Sequence, residues 1–236
     1  MRSIVVSSAC ALMLGCGGSD SQVTGGPFHS GGDPASGMNA PEQPADTLPY
    51  PAGPYGVDIG STVQNVTFYG WNAPGAAGYD PAAVEQVTLA RWFNPDASPG
   101  VPGTKTMTAS DGSEVPVKII LINIGGLWCP PCRQENADIR DLGLYDEYSK
   151  KGVQILGVLI EDINGDPAKP KDIKTWGNMF DILFPLVADP GHKLGPFFTG
   201  DAIPMNIIVR ASDMKVVNKI LGLDTAGMFA SIDDEL

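Results

Sequence analysis

Two cysteines with two residues between them, Cys129 and Cys132, are the side chains of this sequence best suited to chemistry. An apolar run, Val117 to Ile124, ends shortly before them, and a segment compatible with a helix starts at Arg133. A cysteine pair at the start of a helix can close as a disulfide or open to two thiols. The free N–H groups and the positive dipole end of the helix favour the thiolate of the first sulfur. A thiolate attacks other disulfides, so the pattern predicts redox exchange.

The other two cysteines, Cys10 and Cys16, both lie in the N-terminal segment. If that segment is processed, only Cys129 and Cys132 keep a free sulfur, and no structural disulfide can form elsewhere. The sequence has no second C-x-x-C pair that could complete a four-cysteine zinc site. The cysteine count therefore favours redox chemistry without a metal, and the alternative is a buried, unreactive pair.

The segment around the pair resembles the thioredoxin superfamily and, among its members, the membrane-tethered TlpA-like thiol-disulfide oxidoreductases. In that family a W-C-x-P-C motif is followed by a basic residue and, three positions after the second cysteine, by a glutamate. The residues that carry the resemblance are Trp128, Cys129, Pro131, Cys132, Arg133 and Glu135. The resemblance covers residues 57–236 and is weak before residue 115. It implies a thioredoxin fold, a central mixed β-sheet flanked by helices, with an N-terminal β-hairpin extension.

The resemblance also implies roles for the motif residues. Cys129 precedes the helix and is expected to be the exposed nucleophile, whereas Cys132, one turn inside, is expected to be the resolving sulfur. Trp128 and Pro131 are expected to contact the substrate. Glu135 is expected near the buried sulfur, where it can manage a proton, and the alternative is a helix-surface carboxylate favoured by the dipole.

Thioredoxin-like folds place a cis-proline at the start of the strand that faces the cysteine pair. Ile203 and Pro204 directly precede the apolar run Met205 to Val209 and fit that position. Proline cannot donate to a strand ladder, which suits the first position of a strand. We therefore predict that Ile203 and Pro204 bind an extended substrate segment, and the alternative is a trans proline in a loop.

Two positions depart from the family pattern. Met205 stands where the family often has threonine after the proline. Asn123 occupies the position at which thioredoxins carry a buried aspartate. An amide cannot exchange a proton at neutral pH, so that role falls to Glu135, to water or to no group.

Other functions find less support in the sequence. His192 follows a turn-like Asp189-Pro190-Gly191 segment, but copper-delivery proteins of this fold space their cysteines by three residues rather than two. No peroxidatic threonine-and-cysteine motif is present. With 27 acidic and 15 basic residues the formal charge is −12, which argues against nucleic acid or an anionic membrane surface as a partner.

The N-terminal residues predict export and anchoring. Residues 1–16 read as a signal peptide, and Met13-Leu14-Gly15-Cys16 resembles a bacterial lipobox in which Cys16 would carry lipid. The alternative is an ordinary signal peptide. Residues 17–56 are rich in Gly, Pro and Ser and predict a flexible tether to a thioredoxin-like domain over residues 57–236. The expected location is extracytoplasmic and membrane-anchored, in the periplasm or cell envelope.

Hydrophobic periodicity predicts the elements of that domain. Strands are expected over 63–69, 87–92, 117–124, 153–160, 205–209 and 215–221, and helices over 133–150, 171–181 and 225–236. A hairpin between residues near Thr106 and Val117 is expected to turn at Asp111-Gly112.

The residues between the cysteines predict the direction of exchange. Pro130 and Pro131 have no N–H, so each removes one donor that could stabilise the Cys129 thiolate. A less stabilised thiolate makes a better electron donor, which predicts a reductase-like potential below about −200 mV. Protein disulfides or thiols are the expected partners, with electrons supplied by a membrane thiol carrier as the resemblance implies. The rival hypothesis is a non-catalytic lipoprotein that binds a metal ion or a protein.

Overall fold

The structure, a computed structural model, describes residues 48–74, 78–198, 200 and 202–236. The described residues form four α-helices: α1 Pro130–Asp141, α2 Leu144–Ser149, α3 Pro170–Met179 and α4 Thr225–Asp233. They form nine strands: β1 Thr67–Trp71, β2 Glu85–Thr88, β3 Thr106–Thr108, β4 Glu114–Pro116, β5 Ile119–Gly126, β6 Val153–Glu161, β7 Leu186–Ala188, β8 Met205–Arg210 and β9 Lys215–Leu221. The predicted signal peptide with Cys16, and the tether as far as residue 47, lie outside the described residues.

Seven strands form one sheet in the order β2-β1-β7-β6-β5-β8-β9. The three central strands β7, β6 and β5 run parallel, and the strands on either side pair antiparallel, so the sheet is mixed as predicted. Every residue of β5 is buried, and so is all of β6 except its last residue. Runs of Ile, Leu and Val suit strands that are covered on both faces. The thioredoxin-like fold predicted from the sequence is confirmed.

The predicted N-terminal hairpin is present as β1 and β2, which extend the main sheet through β7. Its strands differ from the prediction at both ends. The strand expected over 63–69 begins only at Thr67, because the Val63 N–H instead donates to the Met214 carbonyl at 2.8 Å. The strand expected over 87–92 ends at Thr88, and Leu89–Trp92 forms a 3-10 helix.

The single helix predicted over residues 133–150 is wrong. The chain forms α1 and α2 there, separated by Leu142 and Gly143. Gly143 has a φ of 64°, the left-handed conformation that commonly ends a helix and that glycine adopts without steric cost. The second helix therefore starts in a new direction, and α1 alone carries the residues that follow the cysteines.

The remaining elements follow the sequence closely, with one omission. Strands β6, β8 and β9 and helices α3 and α4 lie within two or three residues of their predicted bounds. The small hairpin of β3 and β4 forms around Asp111-Gly112 as expected. Strand β7 was not predicted, because it has only three residues between Pro185 and Asp189.

The folded part of the chain begins before residue 57, so the predicted end of the tether is too late. The Tyr50 hydroxyl donates to the Val63 carbonyl at 2.8 Å, and its ring lies 5.9 Å from that of Phe93. Tyr55 forms an isolated bridge with Thr62. These contacts hold residues 48–56 against the domain.

Candidate active site

Cys129 and Cys132 lie between the end of β5 and the first turn of α1. They form a disulfide with their Cα atoms 5.3 Å apart. Cys129 is the N-cap residue of α1, and its sulfur accepts a hydrogen bond from the Cys132 N–H at 3.1 Å. Pro130 and Pro131 occupy the first two helical positions and have no N–H to donate. The main-chain donor at this sulfur is therefore the N–H of Cys132, as the sequence predicted.

Both sulfurs are covered in this disulfide form. Cys129 is 1% exposed and Cys132 is 0% exposed, so the predicted difference in exposure between them is wrong. The cause is the segment before β8, because the Ile203 carbonyl oxygen lies 3.5 Å from the Cys129 sulfur. The two cysteines differ instead in what surrounds them.

A close approach of β5 to α1 accommodates the disulfide. A Cβ atom at Gly125 would lie 3.2 Å from the Cys132 Cβ and 3.5 Å from its sulfur. The first distance is shorter than ordinary packing allows, so a side chain here would displace Cys132. Glycine at this position lets the strand pass directly beneath the second cysteine.

The segment Ile203–Pro204 faces Cys129. Its peptide bond is cis, as predicted, and β8 begins at the next residue. The Pro204 carbonyl accepts a hydrogen bond from the Gly222 N–H at 2.8 Å, which ties the segment to the end of β9. The backbone of Ile203 is thereby held beside the sulfur that is predicted to attack.

Trp128 is anchored by a carboxylate that the sequence analysis did not identify. Its indole N–H donates to Glu161 at 2.6 Å, and Glu161 is the last residue of β6. The other Glu161 oxygen lies 3.8 Å from the His192 ring nitrogen. His192 therefore lies near the site, next to the carboxylate that anchors Trp128.

Arg133 stabilises the loop before the pair. Its Nε donates to the Leu127 carbonyl at 2.9 Å, and a second guanidinium nitrogen reaches the same oxygen. The basic residue of the motif thus holds the chain where it leaves β5. Pro131 is exposed in the first turn of α1.

Glu135 lies one helical turn after Cys132 and is 0% exposed. The alternative of a helix-surface carboxylate is therefore wrong. The Asn123 side chain donates to one Glu135 oxygen at 2.6 Å, and the Asn206 side chain donates to the other at 2.8 Å. Asn123 also donates to the Asn206 oxygen at 2.7 Å. Two strands and one helix thus bring three polar side chains together, and one of them lies one helical turn after Cys132.

The surroundings of Glu135 act on its protonation in opposite directions. Burial raises its pKa from an ordinary 4.5 to about 7, because the charged carboxylate loses its hydration. The hydrogen bonds from Asn123 and Asn206 lower the pKa, and the nearby carboxylates of Asp138 and Asp224 raise it. The balance places the group where it can both accept and release a proton near neutral pH.

Residues 100–212 match the AhpC/TSA family, and the cysteine pair, the cis-proline and the glutamate all lie in this stretch. The chain contains a thioredoxin-superfamily domain. A protein of Bacillus cereus named thiol-disulfide oxidoreductase ResA is 30% identical to it over 108 residues, which cover 46% of this chain and 57% of that protein. A protein of the same name from Geobacillus kaustophilus is 33% identical over 92 residues, covering 39% and 48%. The chain spans about half the length of these relatives.

Solved structures agree with the thioredoxin-superfamily assignment at the level of fold. A Chlorobium tepidum protein assigned as thiol:disulfide interchange protein DsbE has a TM-score of 0.52 at 15% identity, over 76% of this chain and 99% of the other. A hypothetical protein of Sinorhizobium meliloti has a TM-score of 0.53 at 10% identity, over 76% and 85%. At such low identity these likenesses show the fold alone.

Sequence reasoning missed Asn206, Asn136 and Glu161 in this thioredoxin-like site. Asn206 and Asn136 are buried, and Asn206 interrupts an otherwise apolar strand, which is the signal that could have drawn attention to it. Glu161 is a charged residue at the carboxyl end of a parallel strand, the edge at which β5 delivers the cysteines. Asn136 follows Glu135 on α1 and has no distinguishing sequence signal.

Among the described residues, no group of three or more His, Cys, Asp or Glu side chains is arranged to hold a metal ion. No helix in the same part of the chain is long and apolar enough to span a membrane.

Proposed function

We propose that the protein is an extracytoplasmic thiol-disulfide oxidoreductase that reduces protein disulfides through Cys129 and Cys132. The observation that carries the proposal is the position of the disulfide between two different surroundings. The backbone of Ile203 and Pro204 lies on one side, and the buried Glu135 with its amide partners lies on the other. Relatives named thiol-disulfide oxidoreductase support the same reaction.

In the reduced protein, the Cys129 thiolate attacks one sulfur of a substrate disulfide. A mixed disulfide forms, and the other substrate sulfur leaves as a thiolate. Cys132 then attacks the Cys129 sulfur, which releases the second substrate sulfur and forms the Cys129–Cys132 disulfide. The substrate gains two electrons, and no cofactor other than this disulfide takes part.

Each side of the disulfide serves one step. An extended substrate segment pairs with the backbone of Ile203 and Pro204, while Trp128 and Pro131 contact it at the rim. Glu135 accepts the proton of the Cys132 thiol, because a thiol must lose its proton before it can attack. Asn123 cannot take this role, since an amide neither binds nor releases a proton at neutral pH.

We further propose that Cys16 carries a lipid that anchors the protein to a membrane, with a membrane thiol carrier as its electron donor. The lipobox-like residues Met13-Leu14-Gly15-Cys16 and the Gly/Pro/Ser-rich tether support the anchor. A Cys16→Ser variant should leave the membrane fraction or remain unprocessed. Fractionation and migration identical to those of the wild type would contradict the anchor.

An insulin-reduction assay with dithiothreitol tests the activity. The wild type should accelerate insulin precipitation, whereas variants with serine at Cys129 or Cys132 should match the uncatalysed rate. A wild type no faster than its serine variants would favour the rival hypothesis, a non-catalytic binding module. Equilibration in glutathione buffers should give a potential below about −200 mV, and a value near that of a strong oxidant, about −120 mV, would make the protein a disulfide donor.

A further inference from the structure

Asn136 follows Glu135 on α1 and is 3% exposed. Its side-chain nitrogen donates to the Asn123 side-chain oxygen and to the Cys132 main-chain carbonyl, both at 3.1 Å. Its own side-chain oxygen is fully buried and has no hydrogen-bond partner in the described part of the chain. Such an unpartnered buried acceptor is uncommon in folded proteins and calls for an explanation.

The two acceptors around Asn136 explain its orientation. If the amide turned over, its oxygen would face the oxygens of Asn123 and Cys132, and both would lose the hydrogen bond that the Asn136 side chain donates. The observed orientation satisfies both at the expense of one unsatisfied oxygen. The Cys132 carbonyl, which belongs to the helix backbone and cannot turn, therefore sets the direction of the Asn136 amide.

The orientation of Asn136 in turn determines that of Asn123. Because the Asn123 oxygen accepts from Asn136, both of its N–H groups are available on the other side, where they donate to Glu135 and Asn206. The Asn206 nitrogen donates to the second Glu135 oxygen. Both carboxylate oxygens thus receive N–H donors, a pattern that suits the ionised form.

We propose that Asn136 is a positioning residue that holds the Asn123 amide with its N–H groups on Glu135 and so favours the carboxylate form. The link to the resolving step of Cys132 rests on the proposed function, whereas the hydrogen-bond chain does not. A protonated Glu135 would need an acceptor, whereas Asn123 and Asn206 both present N–H groups to its oxygens. Burial and the negative charges of Asp138 on α1 and Asp224 before α4 raise the pKa of Glu135. Asn136 acts against this rise.

The substitution Asn136→Leu removes the side-chain donor and replaces it with an apolar side chain of similar size. The Asn123 amide can then turn over and accept a hydrogen bond from protonated Glu135. In the oxidised protein, followed by the carboxyl infrared band or by carbon NMR, the titration midpoint of Glu135 should rise by about one pH unit. Asn218→Leu is the matched control, because it makes the same substitution on β9, where the Asn218 side chain donates to Ser231 at 2.9 Å.

A folded Asn136→Leu protein whose Glu135 midpoint equals that of wild type and Asn218→Leu would overturn the proposal. If the variant does not fold, the wild-type protein provides the test. The side-chain N–H signals of Asn136 should be protected from exchange and should shift as Glu135 titrates, and freely exchanging signals that ignore this titration would overturn it. Both measurements use the oxidised protein without turnover, so they stand apart from the failure or success of the reductase activity.

Discussion

The disulfide separates two sides of the molecule that differ in chemistry. On the groove side, defined here by Trp128, Glu161, Ile203 and Pro204, the Cys129 sulfur lies 3.5 Å from the Ile203 carbonyl oxygen, and the Trp128 indole donates to Glu161. On the network side, defined by Asn123, Glu135, Asn136 and Asn206, the Cys132 carbonyl accepts from Asn136, and the buried carboxyl group of Glu135 is bonded to two amides. In our proposal, a peptide substrate binds on the groove side and a proton is exchanged on the network side.

This difference separates two kinds of mutational effect. Changes on the network side should alter the pH dependence of the reaction, because they act on a titrating group. Changes on the groove side should alter substrate affinity or local stability and leave the pH dependence unchanged. A groove-side substitution that changed the pH dependence, or a network-side substitution that left it unchanged, would contradict this division.

The largest effect is expected from Glu135→Gln. Without a group that accepts the Cys132 proton, the resolving step should slow by about 100-fold or more near pH 7, in the usual range for losing a general base. Stopped-flow decay of a preformed mixed disulfide measures this step. Glu147→Gln is the matched control, since Glu147 lies on exposed α2 in an ion pair with Lys151. Equal rates for the two variants would remove Glu135 from the mechanism.

Glu135 should also make stability depend on pH. Its pKa is about 7 in the folded protein because of burial, against an ordinary 4.5. Between these values the folded state holds a proton that the unfolded state has lost, so the free energy of unfolding falls as pH rises, by about 3 kcal/mol in all. Urea denaturation of the oxidised protein at pH 4.5 and at pH 8 should show this fall in the wild type and a smaller one in Glu135→Gln. The Glu147→Gln variant serves as the control and should show the same fall as the wild type. A wild-type free energy of unfolding that rises between pH 4.5 and pH 8 would contradict the raised pKa of Glu135.

The smallest effect is expected on the groove side. Trp128→Phe removes the indole donor and leaves Glu161 without this hydrogen bond, which should cost about 1 kcal/mol because Trp128 is only half-buried. The pH midpoint of the resolving step should stay where it is. A double-mutant cycle with Glu161→Ala isolates the bond, and additive losses would show that the indole and the carboxylate do not interact.

The sequence predicts the groove side better than the network side, for a physical reason. The cysteine pair, the proline before β8 and the apolar central strands each have a local signature of spacing or composition. Asn123 and Asn206 meet because β5 and β8 pair in a register that sets them opposite each other across 83 residues of chain. No local pattern encodes that register, and the same holds for the covering of Cys129 by Ile203.

The region before β5 was the hardest to predict because its order depends on single polar contacts. Asn94 is fully buried, and its side chain donates to the carbonyls of Pro102 and Val117 and accepts from the Lys105 N–H. These bonds fix a proline-rich segment that has no hydrophobic period of its own. Hydrophobic periodicity therefore predicts the strands of the sheet and does not predict the order of this segment.

The most direct test of the account is to trap mixed disulfides with single-cysteine variants. Cys132→Ser keeps the sulfur on the groove side and loses the one above Glu135, so it should accumulate disulfide-linked complexes with substrate proteins through Cys129. Cys129→Ser should accumulate few, because the Ile203–Pro204 segment, where we propose that the substrate binds, faces Cys129. Equal trapping by the two variants, measured on non-reducing gels, would contradict the division of labour between the two sulfurs.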